Sequence, residues 1–243
     1  MKRALVALLS STVLGGTALA ADLPLPAPLP SARYFPAAMY NWGGGYIGLN
    51  GGYAFGRSDW TFGSASTGGF QTNGFLIGGT LGGNFQFGRV VMGLEADVDW
   101  SGLSGSSSTG LCAPLSAPLN APAGFACKTK SNWLSTARGR AGYAFDRILL
   151  FATGGLALTN VELAITNPAA STSNVEAGWT VGAGIEYAFA DMWTAKIEYL
   201  FVDFGKMTCL AAGSGGVCPG LGAGSVTLTE NVIRGGVNWK FEW

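Results

Sequence analysis

QTNGFLIGGTLGGNFQF, residues Gln71 to Phe87, decides how the chain is read. Phe75, Ile77, Gly79, Leu81, Gly83, Phe85 and Phe87 fall on one face. Thr72, Gly74, Gly78, Thr80, Gly82, Asn84 and Gln86 fall on the other, with Leu76 the one exception. A period of two is the signature of a strand with unlike faces. Val90 to Trp100 repeats it, with Val90, Met92, Leu94, Ala96, Val98 and Trp100 alternating with Gly93, Glu95, Asp97 and Asp99. A half-buried strand of a soluble sandwich also alternates. What differs here is an apolar face unbroken over roughly ten residues, about the 9–11 that a tilted transmembrane strand requires.

Working outward, eight such segments follow one another, at about 46–56, 71–87, 90–100, 131–145, 148–159, 176–189, 193–203 and 228–243. The links after the second, fourth and sixth are short: Gly88-Arg89, Asp146-Arg147 and Ala190-Asp191-Met192. Those near 57–70, 101–130, 160–175 and 204–227 are long. The expectation is an all-β fold, an eight-stranded antiparallel transmembrane β-barrel with short periplasmic turns and long extracellular loops, because outer-membrane barrels have an even strand number and this asymmetry. Trp60, Trp100, Trp133, Trp193 and Tyr143 are expected in its interfacial girdles.

Composition narrows the functions. Glycine supplies 39 of 243 residues, more than twice its usual share of roughly 7%, yet no Gly-X-Y period is present. There is no histidine, which removes Ser-His-Asp and Cys-His nucleophiles and most catalytic zinc sites. Basic and acidic residues balance at 14 each, so no electrostatic footprint for nucleic acid exists. Glycine strings such as Gly43-Gly44-Gly45 open no expected helix and are not phosphate loops. No enzymatic activity and no cofactor are expected.

Met1-Lys2-Arg3, an apolar run from Ala4 to Leu14 and Ala18-Leu19-Ala20 form a basic, apolar and A-x-A series. They read as a signal peptide over 1–20, cleaved after Ala20. Residues 21–41 carry Pro24, Pro26, Pro28, Pro30 and Pro36 and read as an extended periplasmic linker, leaving 42–243 for the barrel. The expected location is the outer membrane of a Gram-negative bacterium.

An eight-stranded barrel is just wide enough for side chains to fill, so inward charges must meet. Glu95, Asp97 and Asp99 of the third segment and Arg138 and Arg140 of the fourth are the first candidates, joined by Glu186, Lys196, Glu198, Arg234 and Lys240. Counting from the shared short turn sets Glu95 near Arg140 and Asp97 near Arg138, before barrel shear displaces the register. Such a network either plugs the barrel or lines a narrow path for ions and small solutes. Cys112 and Cys127 lie in the second long link, Cys209 and Cys218 in the fourth. In an exported chain four cysteines point to disulfides, and local pairs, Cys112 with Cys127 and Cys209 with Cys218, need no contact between loops. Without histidine, iron capture by the loops would fall to Met207 and the cysteines.

Several stretches carry a resemblance. Trp42-x-Gly44-x-Tyr46-Ile47-Gly48-x-Asn50-x-Gly52-Tyr53 resembles the opening strand of small alphaproteobacterial outer-membrane β-barrel proteins, the porin-family or opacity-type surface antigens. Phe151 to Ala157, Gly178 to Tyr187, Lys196 to Leu200 and Val202 to Gly205 resemble their later strands, and Ala21-Asp22-Leu23-Pro24 their start after the signal. Trp239, Phe241 and Trp243 look like the C-terminal signal read by the barrel assembly machinery. The resemblance implies that machinery, outer-membrane lipid and lipopolysaccharide as partners, with any loop ligand left open. It further implies an envelope-integrity and surface-display role, and no shared catalytic residues.

Overall fold

The computed structural model describes residues 39–62, 65–66, 68–107, 126–166, 170–209 and 224–241. The expected signal peptide, nearly all of the linker, and Cys112, Cys218 and Trp243 lie outside them.

Eight long strands form the wall: β1 (Gly44–Phe62), β3 (Phe70–Phe87), β4 (Val90–Ser107), β5 (Ala126–Phe145), β6 (Ile148–Thr166), β7 (Ala170–Ala188), β8 (Trp193–Cys209) and β9 (Gly224–Phe241). The two-residue β2 (Ala65–Ser66) folds back on the end of β1. Each long strand pairs antiparallel with the next, and β1 with β9, from Gly45 opposite Phe241 to Thr61 opposite Ser225. The sheet is therefore closed, which leaves no strand edge exposed to lipid. Among the described residues there is no helix.

The turns expected to be short are short. Gly88 and Asp146 each open a two-residue link with a positive φ, 62° and 54°, as tight hairpins demand. The remaining links are shorter than expected. β6 runs to Thr166 and β7 starts at Ala170, so 160–175 is mostly strand, and β1 with β2 takes up most of 57–70. Only 108–125 and 210–223, outside the described residues, leave room for long loops.

The reason is an inversion of polarity along each strand. The long strands have 17–20 residues, roughly 60 Å of chain at about 3.3 Å per residue, while a membrane crossing requires about 9–11 residues. From the turns to just past mid-strand, outward residues are apolar: Phe75, Ile77 and Leu81 on β3, Leu94, Val98 and Trp100 on β4, Leu156 on β6, Ile197 on β8. Beyond Phe55, Phe75 and Trp100 the outward face turns to Arg57, Asp59, Gln71, Asn73, Ser104 and Ser106. The inward face changes the other way. Trp60, Leu76, Leu103, Leu134, Leu163, Phe204, Val226, Leu228 and Val232 form an apolar core inside the loop-side half. Strand pairing continues while the solvent outside changes from lipid to water.

Two expectations are thereby corrected. Trp60 is not in a girdle: it shares the inward parity of Tyr46 and Ala54, is only 1% exposed, and donates from Nε1 to Thr129 Oγ1 at 3.2 Å. Met207 is not a loop ligand; it lies in β8 and points into the core. Trp100, Trp193 and Tyr143 face outward and exposed.

Candidate functional site

The turn-side half of the interior holds ionic groups where the other half holds carbon. The inward parities of β4, β5, β7, β8 and β9 deliver Glu95, Asp97, Asp99, Arg138, Arg140, Glu186, Lys196, Glu198 and Arg234 to one layer, all of them buried. Arg138 donates to Glu95 at 2.5 Å, Asp97 at 2.7 Å and Glu198 at 2.9 Å. Arg234 reaches Asp97 at 2.8 Å, Asp99 at 2.5 Å and Glu198 at 2.7 Å. Lys196 reaches Glu95 at 2.7 Å, and Arg140 reaches Glu186 at 2.6 Å. Five carboxylates thus meet four cations. Neutral donors supply further bonds: Tyr46 to Glu95 at 2.8 Å, Thr136 to Asp97 at 2.8 Å, Asn238 to Glu186 at 3.0 Å, and Thr194 to Glu186. Buried charge is tolerable only when paired and hydrogen-bonded in this way.

The register differs from a count off the turn. Glu95 stands opposite Arg138 and Asp97 opposite Thr136, because β4 starts at Val90 opposite Tyr143 rather than opposite Phe145. This stagger of two residues keeps every side chain on its face but moves each pair by one step.

Lys240 stands apart from the layer. It is buried at the turn-side mouth, where its Nζ donates to the Asn41 carbonyl and lies 4.5 Å from the centre of the Tyr40 ring. The segment before β1 enters this mouth. Tyr40 bonds to Asp146 Oδ1 through its amide and to the Asp191 carbonyl through its hydroxyl. Trp42 bonds to Gln86 Oε1 through its amide and to the Asp146 carbonyl through Nε1. Both rings pack on Val91, Ala144, Leu149, Phe151 and Ala188. All three short turns are thereby tied to one apolar floor.

Tyr46, the floor and the loop-side core are features that reading the sequence missed. Trp42 and Tyr40 alternate in phase with Tyr46 and Asn50, and Val226-x-Leu228-x-Glu230-x-Val232 continues the inward parity of Arg234. Following only the outward apolar residues hid both. Glu230 is buried beside Val202 and Gly56, and its Oε1 has no hydrogen-bond partner among the described residues. Trp239 and Phe241 face outward on the closing strand, their rings 5.8 Å apart. Cys127 is buried at the start of β5 and is not free; the side chains of Cys112, Cys209 and Cys218 lie outside the description.

Opposed polarity inside and outside, closure without edges and a filled lumen define an outer-membrane β-barrel. The chain belongs to the family of outer membrane protein β-barrel domains, which it matches over residues 27–241. It is 34% identical to the 31 kDa outer-membrane immunogenic protein of Brucella melitensis, covering 93% of this chain and 94% of that one. It is 32% identical to the 22 kDa outer membrane protein of Rhizobium leguminosarum over 68% of this chain and 65% of that one. Among solved structures, the outer membrane protease OmpT of Escherichia coli overlays with a TM-score of 0.50 at 9% identity, across 85% of this chain and 99% of that one. That last likeness concerns the fold alone.

Proposed function

We propose that the protein is a sealed, non-enzymatic strut of the outer membrane that contributes to envelope integrity and displays its loop-side end outside the cell. The observation that carries this is the 2.7 Å ion pair between Lys196 on β8 and Glu95 on β4. Three strands separate β4 from β8 by either route around the wall, so this pair spans the full width of the lumen. The Tyr40–Trp42 floor lies below it and the apolar core above it. An ion would have to displace all three layers, which argues against the alternative of a narrow charge-lined channel. The carboxylates of the ionic layer are held by arginine and lysine, which argues against their use as acids or bases. Surface display is supported by the 31 kDa relative, which is named as immunogenic. Cleavage after Ala20, a linker up to the barrel, recognition of the last strand by the assembly machinery and local disulfides that tie Cys112 to Cys127 on β5 and Cys218 to Cys209 on β8 complete the reading.

Two measurements test it. The purified barrel in planar bilayers gives no unitary steps; reproducible steps from the native protein would replace the strut by a pore. A deletion strain becomes more sensitive to detergent and bulky hydrophobic antibiotics and is restored by the native gene. Unchanged sensitivity would remove the envelope role.

A further inference from the structure

One seam of the wall stays open at the loop-side end. β7 pairs with β6 from Tyr187 up to Ala170, but with β8 only as far as Trp179 opposite Asp203. Above that level β8 pairs with β9 alone, through a register shift at Gly205, whose φ is 64° and whose amide donates to Asp203 Oδ1 at 2.7 Å. Such a bulge bends a strand away from its neighbour. Gly178 is the last close approach, where a Cβ would meet the Asp203 carbonyl and Phe204 Cα. Beyond it, Asn174 is exposed and Glu176 half-exposed although both have inward parity, while their partners on β6, Val161 and Thr159, are buried. Among the described residues nothing pairs with this side of β7 from Ala170 to Gly178, roughly 30 Å of strand at about 3.3 Å per residue. Alternate residues of a strand turn their amide and carbonyl to opposite sides. Ala188, of inward parity, donates to Arg147 on the β6 side, so the outward residues Ser171, Ser173, Val175 and Ala177 turn theirs to the open side. Trp179 faces outward in the aromatic girdle that ends the hydrocarbon, so the open edge stands in water.

We infer that this edge binds an extended, basic peptide segment of another protein outside the cell, which adds antiparallel to β7 as an extra strand. In strand addition the main-chain bonds give affinity and the alternate side chains give specificity. The inference goes beyond the strut reading and rests on it only for the side of the membrane that the edge faces. Natural edges are blunted by lysine, proline or a bulge. β8 has the bulge and the exposed Lys206, whereas the β7 edge has none of the three. Charge complementarity favours a basic occupant: Glu176 has no ion pair among the described residues, and Glu162 and Asp203 flank the edge on the outer face. A second barrel in the same membrane is related by an axis along the membrane normal. Its β7 then runs in the same sense as the first and cannot pair antiparallel with it.

The probe is a fluorescent nonapeptide of alternating valine and threonine with a central lysine, added to the native barrel in nanodiscs and read by anisotropy. Binding is expected. N-methylation of the threonine amides, which turn to β7 when the valines face inward, abolishes it. Val175→Pro removes a donor from the open edge and leaves the β6 ladder intact; it weakens binding about tenfold, the size of one hydrogen bond. Glu176→Gln weakens the lysine peptide about threefold, as a partly exposed ion pair does, and leaves a peptide with glutamine in place of lysine unmoved. A folded, heat-sensitive band on gels confirms that each variant retains the barrel, and the N-methylated peptide tests the native protein itself. No binding, or binding that survives N-methylation, overturns the inference; an equal effect of Glu176→Gln on both peptides overturns the basic partner. Binding that appears only after residues 210–223 are deleted gives the edge to the chain's own loop, and dimers that exclude the peptide give it to a second copy. Either result overturns an outside partner. Conductance is a separate readout, so a pore would sink the strut and leave this result standing.

Discussion

At the residue scale, the ionic layer is stabilised by completeness rather than by any one bond. Arg234 serves three carboxylates, Asp97, Asp99 and Glu198. Arg234→Ala leaves them buried with less compensation, and removing one member of a buried pair costs about 3–5 kcal/mol. Urea unfolding in detergent should show that loss, whereas Arg147→Ala, at an exposed pair with Asp191, should change little. Glu230 is the opposite case. Among the described residues it has no ion pair and no partner for Oε1 in the apolar half, and a buried polar group without compensation costs roughly 1–3 kcal/mol. Glu230→Leu is therefore expected to raise the unfolding midpoint; a lower midpoint would show that the carboxyl is held by something useful. Gly82 matters for another reason. A Cβ there would run into the Tyr46 ring, whose hydroxyl serves Glu95 and accepts from Arg140 at 3.1 Å. Gly82→Val should cost about 1–3 kcal/mol, as overpacking does.

At the element scale, each long strand carries two environments, and neighbouring positions report which face meets which solvent. Leu103 is 2% exposed inside the loop-side core, while Ser104 faces water outside. Leu103→Asp buries an unpaired charge and should prevent refolding or lower stability by several kcal/mol. Ser104→Asp should stay within about 0.5 kcal/mol. Equal effects at the two positions would mean that β4 does not keep its parity above Trp100. The segment before β1 is an element in its own right. Trp42→Ala opens the floor, and large aromatic truncations in a core cost about 3–5 kcal/mol. Hydrogen exchange should quicken at 88–89, 146–147 and 190–191, which the floor ties together, and not at the loop-side core. Exchange unchanged at those turns would separate the floor from them.

At the scale of the whole molecule, a lumen crossed by buried ion pairs has a consequence for salt. Exposed charges are screened over about 8–10 Å at ordinary ionic strength, buried ones much less. The unfolding midpoint should therefore hardly move between low and moderate salt. A marked fall would mean that water and ions enter the ionic layer, as a conducting path would require. The sequence by itself determined the closed antiparallel barrel, the placement of the short turns and the inward charges from Glu95 to Arg234. Those follow from a period of two that repeats eight times, and a local pattern is legible without the fold. Only the tertiary structure decided that Glu95 meets Arg138 and Lys196 rather than Arg140 first, that Trp60 and Met207 point inward, and that Tyr40 and Trp42 close the mouth. Those depend on stagger between strands and on contacts across the lumen. The outward apolar signal ends where the membrane ends, while the backbone ladder continues into water, and so the strands outlast the pattern that announces them.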